Sequence, residues 1–141
     1  MSSREAAGRP DYAASVRRFA DEWAPTAGRV LLGLVLAWFG YHELVSPGLW
    51  TGYVPGVNAT SQVAVVLVLA HGWVLLVLAV AIVAGVALRL MAAVAALLVL
   101  QIVITVTVSG GLTDLTLRDV GVLGLAICFT GTTSQRLVLS T

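Results

Sequence analysis

The chain has 141 residues, of which 59% are hydrophobic and 11% charged, and its mean hydropathy is +0.98. A soluble domain carries about 25% charged and about 45–50% apolar residues, so an ordinary soluble globular domain is excluded. One cysteine excludes a disulfide scaffold, 14 Gly and 4 Pro exclude collagen-like and low-complexity chains, and a net charge of +1 provides no basic surface for nucleic acid. An integral membrane protein remains.

In chain order, residues 1–9 read as an unstructured leader, and residues 11–24 as an amphipathic helix. Tyr12, Val16, Phe19, Ala20 and Trp23 share one helical face, and Arg17, Arg18, Asp21 and Glu22 occupy the other. Asp11 stands as N-cap and Pro25 is expected to stop the helix. Such a segment suits the plane of the cytoplasmic interface, with packing on a soluble partner as the alternative. Residues 1–25 thus form a cytoplasmic tail and 26–141 a membrane domain.

Crossing roughly 30 Å of hydrocarbon takes about 20 mostly apolar residues. Four runs qualify, at about 28–45, 62–88, 90–108 and 117–135, the last being the weakest. The second and third are separated by little more than Arg89. None alternates apolar with polar residues, which argues against a β-barrel and for helices that satisfy their own backbone. The expected fold is therefore an all-α membrane protein, an antiparallel bundle of four transmembrane helices with an N-terminal amphipathic interfacial helix.

Arg4, Arg9, Arg17, Arg18, Arg29, Arg89 and Arg136 fall on one side of these spans, and only Arg118 on the other. By the positive-inside rule both termini are cytoplasmic, and the protein is a multi-pass inner (cytoplasmic) membrane protein without a cleaved signal peptide. The loop at 46–61 carries Pro47, Gly48, Gly52, Pro55 and Gly56, which demand turns. Trp38, Tyr41, Trp50 and Tyr53 read as an interfacial belt, or as a lid over a ligand pocket.

Ionisable residues inside hydrocarbon cost at least about 2.5–3.5 kcal/mol each on insertion scales, so each needs a reason. His42, Glu43, His71, Arg118 and Asp119 all belong to the outer half of the expected bundle. Arg118 stays charged and needs a carboxylate. Asp119 is adjacent, so on a helix the two side chains diverge by about 100°; Glu43 is the expected partner. The chain has no His/Cys cluster, no CxxCH and no repeated ligand spacing, so no metal site is expected from His42 and His71. Gln101 reads as a hydrogen-bonding link between helices. The small pairs Gly33 and Ala37, Ala81 and Gly85, Ala92 and Ala96, and Gly124 and Cys128 read as close-packing surfaces.

The stretch Phe39-Gly40-Tyr41-His42-Glu43-Leu44-Val45-Ser46-Pro47, continuing Trp50-Thr51-Gly52-Tyr53-Val54-Pro55, resembles the end of helix 1 and the following loop in DoxX-like membrane proteins. Gly85-Val86-Ala87-Leu88-Arg89-Leu90 is similar to that family's turn between helices 2 and 3, and Leu117-Arg118-Asp119-Val120-Gly121-Val122-Leu123 to its Arg-Asp opening of helix 4. Glu43 stands where the family often has Lys, and helix 2 lacks the acidic residue that many members carry there. The resemblance implies a four-helix membrane protein, and one branch of the family is the small subunit of a membrane thiosulfate:quinone oxidoreductase. The expected function is a subunit or anchor of a membrane redox system, with a redox-protein partner or a second copy of the chain. The alternatives are quinone reduction in a pocket formed by His42, Glu43, Trp50, His71, Arg118 and Asp119, and a scaffold or solute carrier without a redox role. The residues themselves show no cofactor signature; quinone is the one the enzyme reading requires.

Overall fold

Long runs of Leu, Val and Ala with sparse punctuation favour helix wherever the backbone must satisfy itself. A computed structural model describes residues 12–131, and every regular element in that range is helical. The long helices are α1 (Tyr12–Val45), α2 (Gln62–Ala84), α3 (Leu88–Gly110) and α4 (Asp114–Gly131), and two single 3₁₀ turns, Pro47–Leu49 and Thr51–Tyr53, lie between α1 and α2. Of the four, α1, α2 and α3 are long and apolar enough to cross a membrane. Their outward faces carry Leu31, Leu34, Trp38, Val66, Val77, Val80, Leu97 and Ile104, all exposed. Apolar side chains in that number on an outer surface are consistent with contact to a lipid bilayer.

Helix boundaries follow local chemistry more closely than hydropathy. α1 runs for 34 residues straight through Pro25, which was expected to stop it. Proline lacks the N–H that would bond Asp21 four residues back, but the helix continues on both sides. Arg29, placed above among the charges flanking the first span, is therefore midway along α1 and only 2% exposed. α2 ends at Ala84, not at the expected Leu88: Gly85 takes the left-handed conformation (φ 73°), and Val86 N–H donates to the Ala81 carbonyl at 2.9 Å and Gly85 N–H to the Ile82 carbonyl at 3.1 Å. α2 starts cleanly, with Ser61 Oγ accepting from Ala64 N–H at 3.1 Å. α4 begins three residues before the expected Leu117, because Thr113 Oγ1 accepts from Thr116 N–H at 3.4 Å as a cap. The end expected for the fourth run, at 132–135, lies outside the described residues, as do the leader 1–9 and Asp11.

α1 packs along α2, and α3 along α4, with lighter contacts joining the two pairs. The shared core is built from Leu32 and Leu36 of α1, Leu75, Ala79 and Ile82 of α2, Ala92, Ala95 and Val99 of α3, and Ala126 and Phe129 of α4. Only some of the small-residue pairs make close contacts. A Cβ on Gly33 would meet the Val83 side chain and the Ala79 carbonyl, whereas one on Gly124 would meet nothing within 4 Å and Cys128 is exposed.

Candidate functional site

α1 and α2 come close together at two glycines. A Cβ on Gly40 would stand 2.7 Å from the Gly72 carbonyl oxygen, and one on Gly72 would stand 3.0 Å from the Gly40 carbonyl oxygen. Glu43 lies one turn beyond Gly40, and His71 immediately precedes Gly72, so this crossing brings a carboxylate and an imidazole together. Glu43 Oε2 and His71 Nδ1 are 2.8 Å apart, with the side chains 7% and 24% exposed. Glu43 was expected to hold Arg118; its partner is His71.

Arg118 instead turns back on its neighbour. Its Nε and Nη2 both donate to Asp119 Oδ1, each at 3.2 Å. The 100° divergence between adjacent helical positions applies at Cβ, and the long arginine side chain spans it. The guanidinium also sits 4.7 Å from the centroid of the Phe39 ring. Trp50 meets the other side of this cluster, its ring edge-on to Phe39 at 6.1 Å and 83°.

These groups surround one cavity of about 330 Å³, within the range of small-molecule sites. Each helix contributes one stripe at helical spacing: Leu36, Phe39 and Glu43 from α1; Val68, His71 and Leu75 from α2; Val99, Ile102 and Val106 from α3; Leu115, Arg118, Asp119 and Val122 from α4. Trp50, Tyr53, Val54 and Pro55 close it from the loop, so this loop is a wall of the cavity. The lining is mostly apolar, with the Glu43–His71 and Arg118–Asp119 pairs as its polar groups together with Gln101 and Thr105. Among the described residues Gln101 does not link helices; its Nε2 donates to Thr105 Oγ1 of the same helix at 3.1 Å.

Five of the six residues singled out from the sequence line this cavity: Glu43, Trp50, His71, Arg118 and Asp119. His42 does not; it packs against Trp38, with ring centroids 4.4 Å apart, and against Tyr41 at 5.8 Å. Phe39 was missed, although its position one turn before Glu43 puts it on the same face of α1. Two polar atoms of the lining residues, Trp50 Nε1 and His71 Nε2, are buried and have no hydrogen-bond partner among the described residues. Among those residues no three His, Cys, Asp or Glu side chains gather into a metal-binding group. Chemically, the arrangement offers an apolar slot with an oriented imidazole, an indole N–H and an internally neutralised arginine. No protein-family model, curated protein or solved structure matches the chain.

Proposed function

We propose that the chain is a DoxX-like protein of the inner membrane, a small subunit or anchor of a membrane redox system that holds a quinone head group in this cavity. The observation that carries the reading is convergence. Two stretches that resemble the family, 39–55 and 117–123, are distant in sequence, yet Phe39, Glu43, Trp50, Arg118 and Asp119 from them wall one cavity. A quinone site needs an apolar slot for ring and tail and one or two polar groups at the oxygens.

The membrane arrangement is a four-helix antiparallel bundle with both termini cytoplasmic. Gly33 faces Ala79 and Val83 while Gly40 faces Gly72, the order expected of antiparallel neighbours. α4 has 18 residues, about 27 Å at 1.5 Å per residue, close to the hydrocarbon thickness. Its charges at Arg118 and Asp119 are tolerable there because they neutralise each other and line the cavity. α1, with 34 residues, is longer than a span requires. Its first third, with the Phe19 and Trp23 rings tilted against each other at 6.1 Å on an exposed face, lies at the cytoplasmic interface.

Purification in mild detergent, followed by mass spectrometry of bound lipids, quinones and co-purifying proteins, tests this. A quinone near one per chain supports the ligand-holding role, and a stoichiometric redox protein without quinone supports the anchor role alone. Neither one nor the other overturns the proposal.

A further inference from the structure

We propose that α3 pairs with α3 of a second copy of this chain along its outward side, and that Gln101 fixes the register of the pair. The inference rests on the membrane arrangement and not on what fills the cavity.

Ala92, Ala95, Val99 and Val106 are buried and make the inward side of α3. At about 100° per residue, the opposite side carries Leu90, Leu97, Gln101, Ile104 and Val108. All five are exposed, Gln101 among them although it also lines the cavity. Leu90, Leu97 and Ile104 stand seven apart, as do Gln101 and Val108, and steps of four and three alternate from Leu97 to Val108. That spacing forms the seam of two helices crossing at about 20°. Arg89 is turned about 100° from Leu90, so the seam brings no like charges together.

An aliphatic stripe alone would be satisfied by lipid; the amide within it is not. Gln101 lies 13 residues after Leu88 and nine before Gly110, roughly 20 Å and 14 Å along the helix, and therefore inside the hydrocarbon. The Thr105 hydroxyl donates to the Gln101 main-chain carbonyl at 2.9 Å. Its hydrogen is thus committed, and the Gln101 side-chain atom 3.1 Å away must be the donor, Nε2. Oε1 and the second Nε2 hydrogen are left without partners among the described residues, and hydrocarbon supplies none. The outward side of α2, with Val66, Trp73, Val77 and Val80, carries no such amide.

An amide both gives and accepts hydrogen bonds, so it complements itself. Copies of one chain share one topology, and a two-fold axis along the membrane normal sets their α3 helices parallel, with Gln101 opposite Gln101 at the same depth. Each Nε2–H then donates to the other Oε1. An apolar partner would leave the amide stranded, whereas a second copy brings the missing donor and acceptor to that level. A single polar group in an apolar seam also penalises every slipped register.

The test uses the full chain with Cys128→Ser in native-like membranes, carrying one introduced cysteine at a time. Copper-phenanthroline oxidation should yield disulfide-linked dimers from Leu97→Cys and from Ile104→Cys. Leu100→Cys and Val77→Cys, exposed but off the stripe, should stay monomeric. In mild detergent, sedimentation equilibrium should show a monomer–dimer equilibrium that Gln101→Leu weakens by about five- to thirtyfold, the worth of an interhelical polar contact. Gln101→Asn keeps an amide and should recover most of that loss. A monomer at every concentration overturns the inference, as does unchanged association in Gln101→Leu. Cross-links at Leu100→Cys or Val77→Cys as strong as those on the stripe overturn it too, and so do cross-links from the stripe to a different protein. None of these results bears on the cavity.

Discussion

Replacing His71 by Leu strands Glu43. The Glu43 side chain is 7% exposed and bonded to His71 Nδ1 at 2.8 Å, and nearby α1 and α2 come close at Gly40 and Gly72, so Glu43 has little room to reach solvent. Removing one partner of a buried pair costs about 3–5 kcal/mol, and His71→Leu should fall in that range. Glu43→Leu should cost less, about 1–3 kcal/mol, because the imidazole is 24% exposed on its side chain and can find another partner. The double replacement Glu43→Leu/His71→Leu removes both polar groups and fills the crossing with apolar volume, so it should be no less stable than Glu43→Leu alone. Reversible unfolding in mixed micelles, titrated with SDS and followed by circular dichroism, gives the four free energies of the cycle. A coupling of at least about 1 kcal/mol is expected for residues in direct contact. Losses that simply add would mean that the two side chains do not stabilise each other, and the dyad would be refuted.

The same assay separates the dyad from its neighbour: Glu43→Gln and Arg118→Gln should be additive within about 0.5 kcal/mol, since Arg118 is held by Asp119 and shares no hydrogen bond with Glu43. Gly40→Ala should destabilise by about 1–3 kcal/mol, because its Cβ would lie 2.7 Å from a backbone oxygen that cannot turn aside. Gly124→Ala, into open space, should leave stability unchanged or raise it by up to about 1 kcal/mol, as alanine does in a helix. Replacing Val16, Phe19 and Trp23 together by Ser should expose residues 12–24 to added protease in inside-out vesicles while the unfolding transition stays put; unaltered protection would remove the interfacial role of that segment.

Hydropathy alone was enough to locate α1, α2 and α3, because a helix in lipid is recognised by a run of about 20 apolar residues whatever surrounds it. It could not find the boundary at Gly85, which is flanked on both sides by equally apolar residues and acts through backbone freedom. Nor could it find the Thr113 cap, or foresee that α1 would carry on through Pro25, a position where local propensity and the continuing helix disagree. The polar lining was legible for a related reason: Glu43, His71, Arg118 and Asp119 are conspicuous against an apolar background. Their pairing was not legible. Which carboxylate meets which cation depends on where α1 crosses α2, and that point is fixed by the mutual fit of Gly40 and Gly72. Phe39 stayed hidden because an aromatic residue in an apolar run looks like ordinary core until a guanidinium is found above it.

We propose that one cavity, walled by the Glu43–His71 and Arg118–Asp119 pairs, receives a lipid-soluble ring. Photolabelling of the full chain in native-like membranes with an azido-benzoquinone, with the modified residues mapped by mass spectrometry, tests it most directly. Labels are expected within residues 36–43, 50–55, 67–75 or 115–122, on cavity-lining positions such as Phe39, Trp50 or Leu75, and should be lost with excess unlabelled quinone. Labels confined to outward positions such as Trp38, Trp73 or Leu97, and unaffected by competitor, would contradict it.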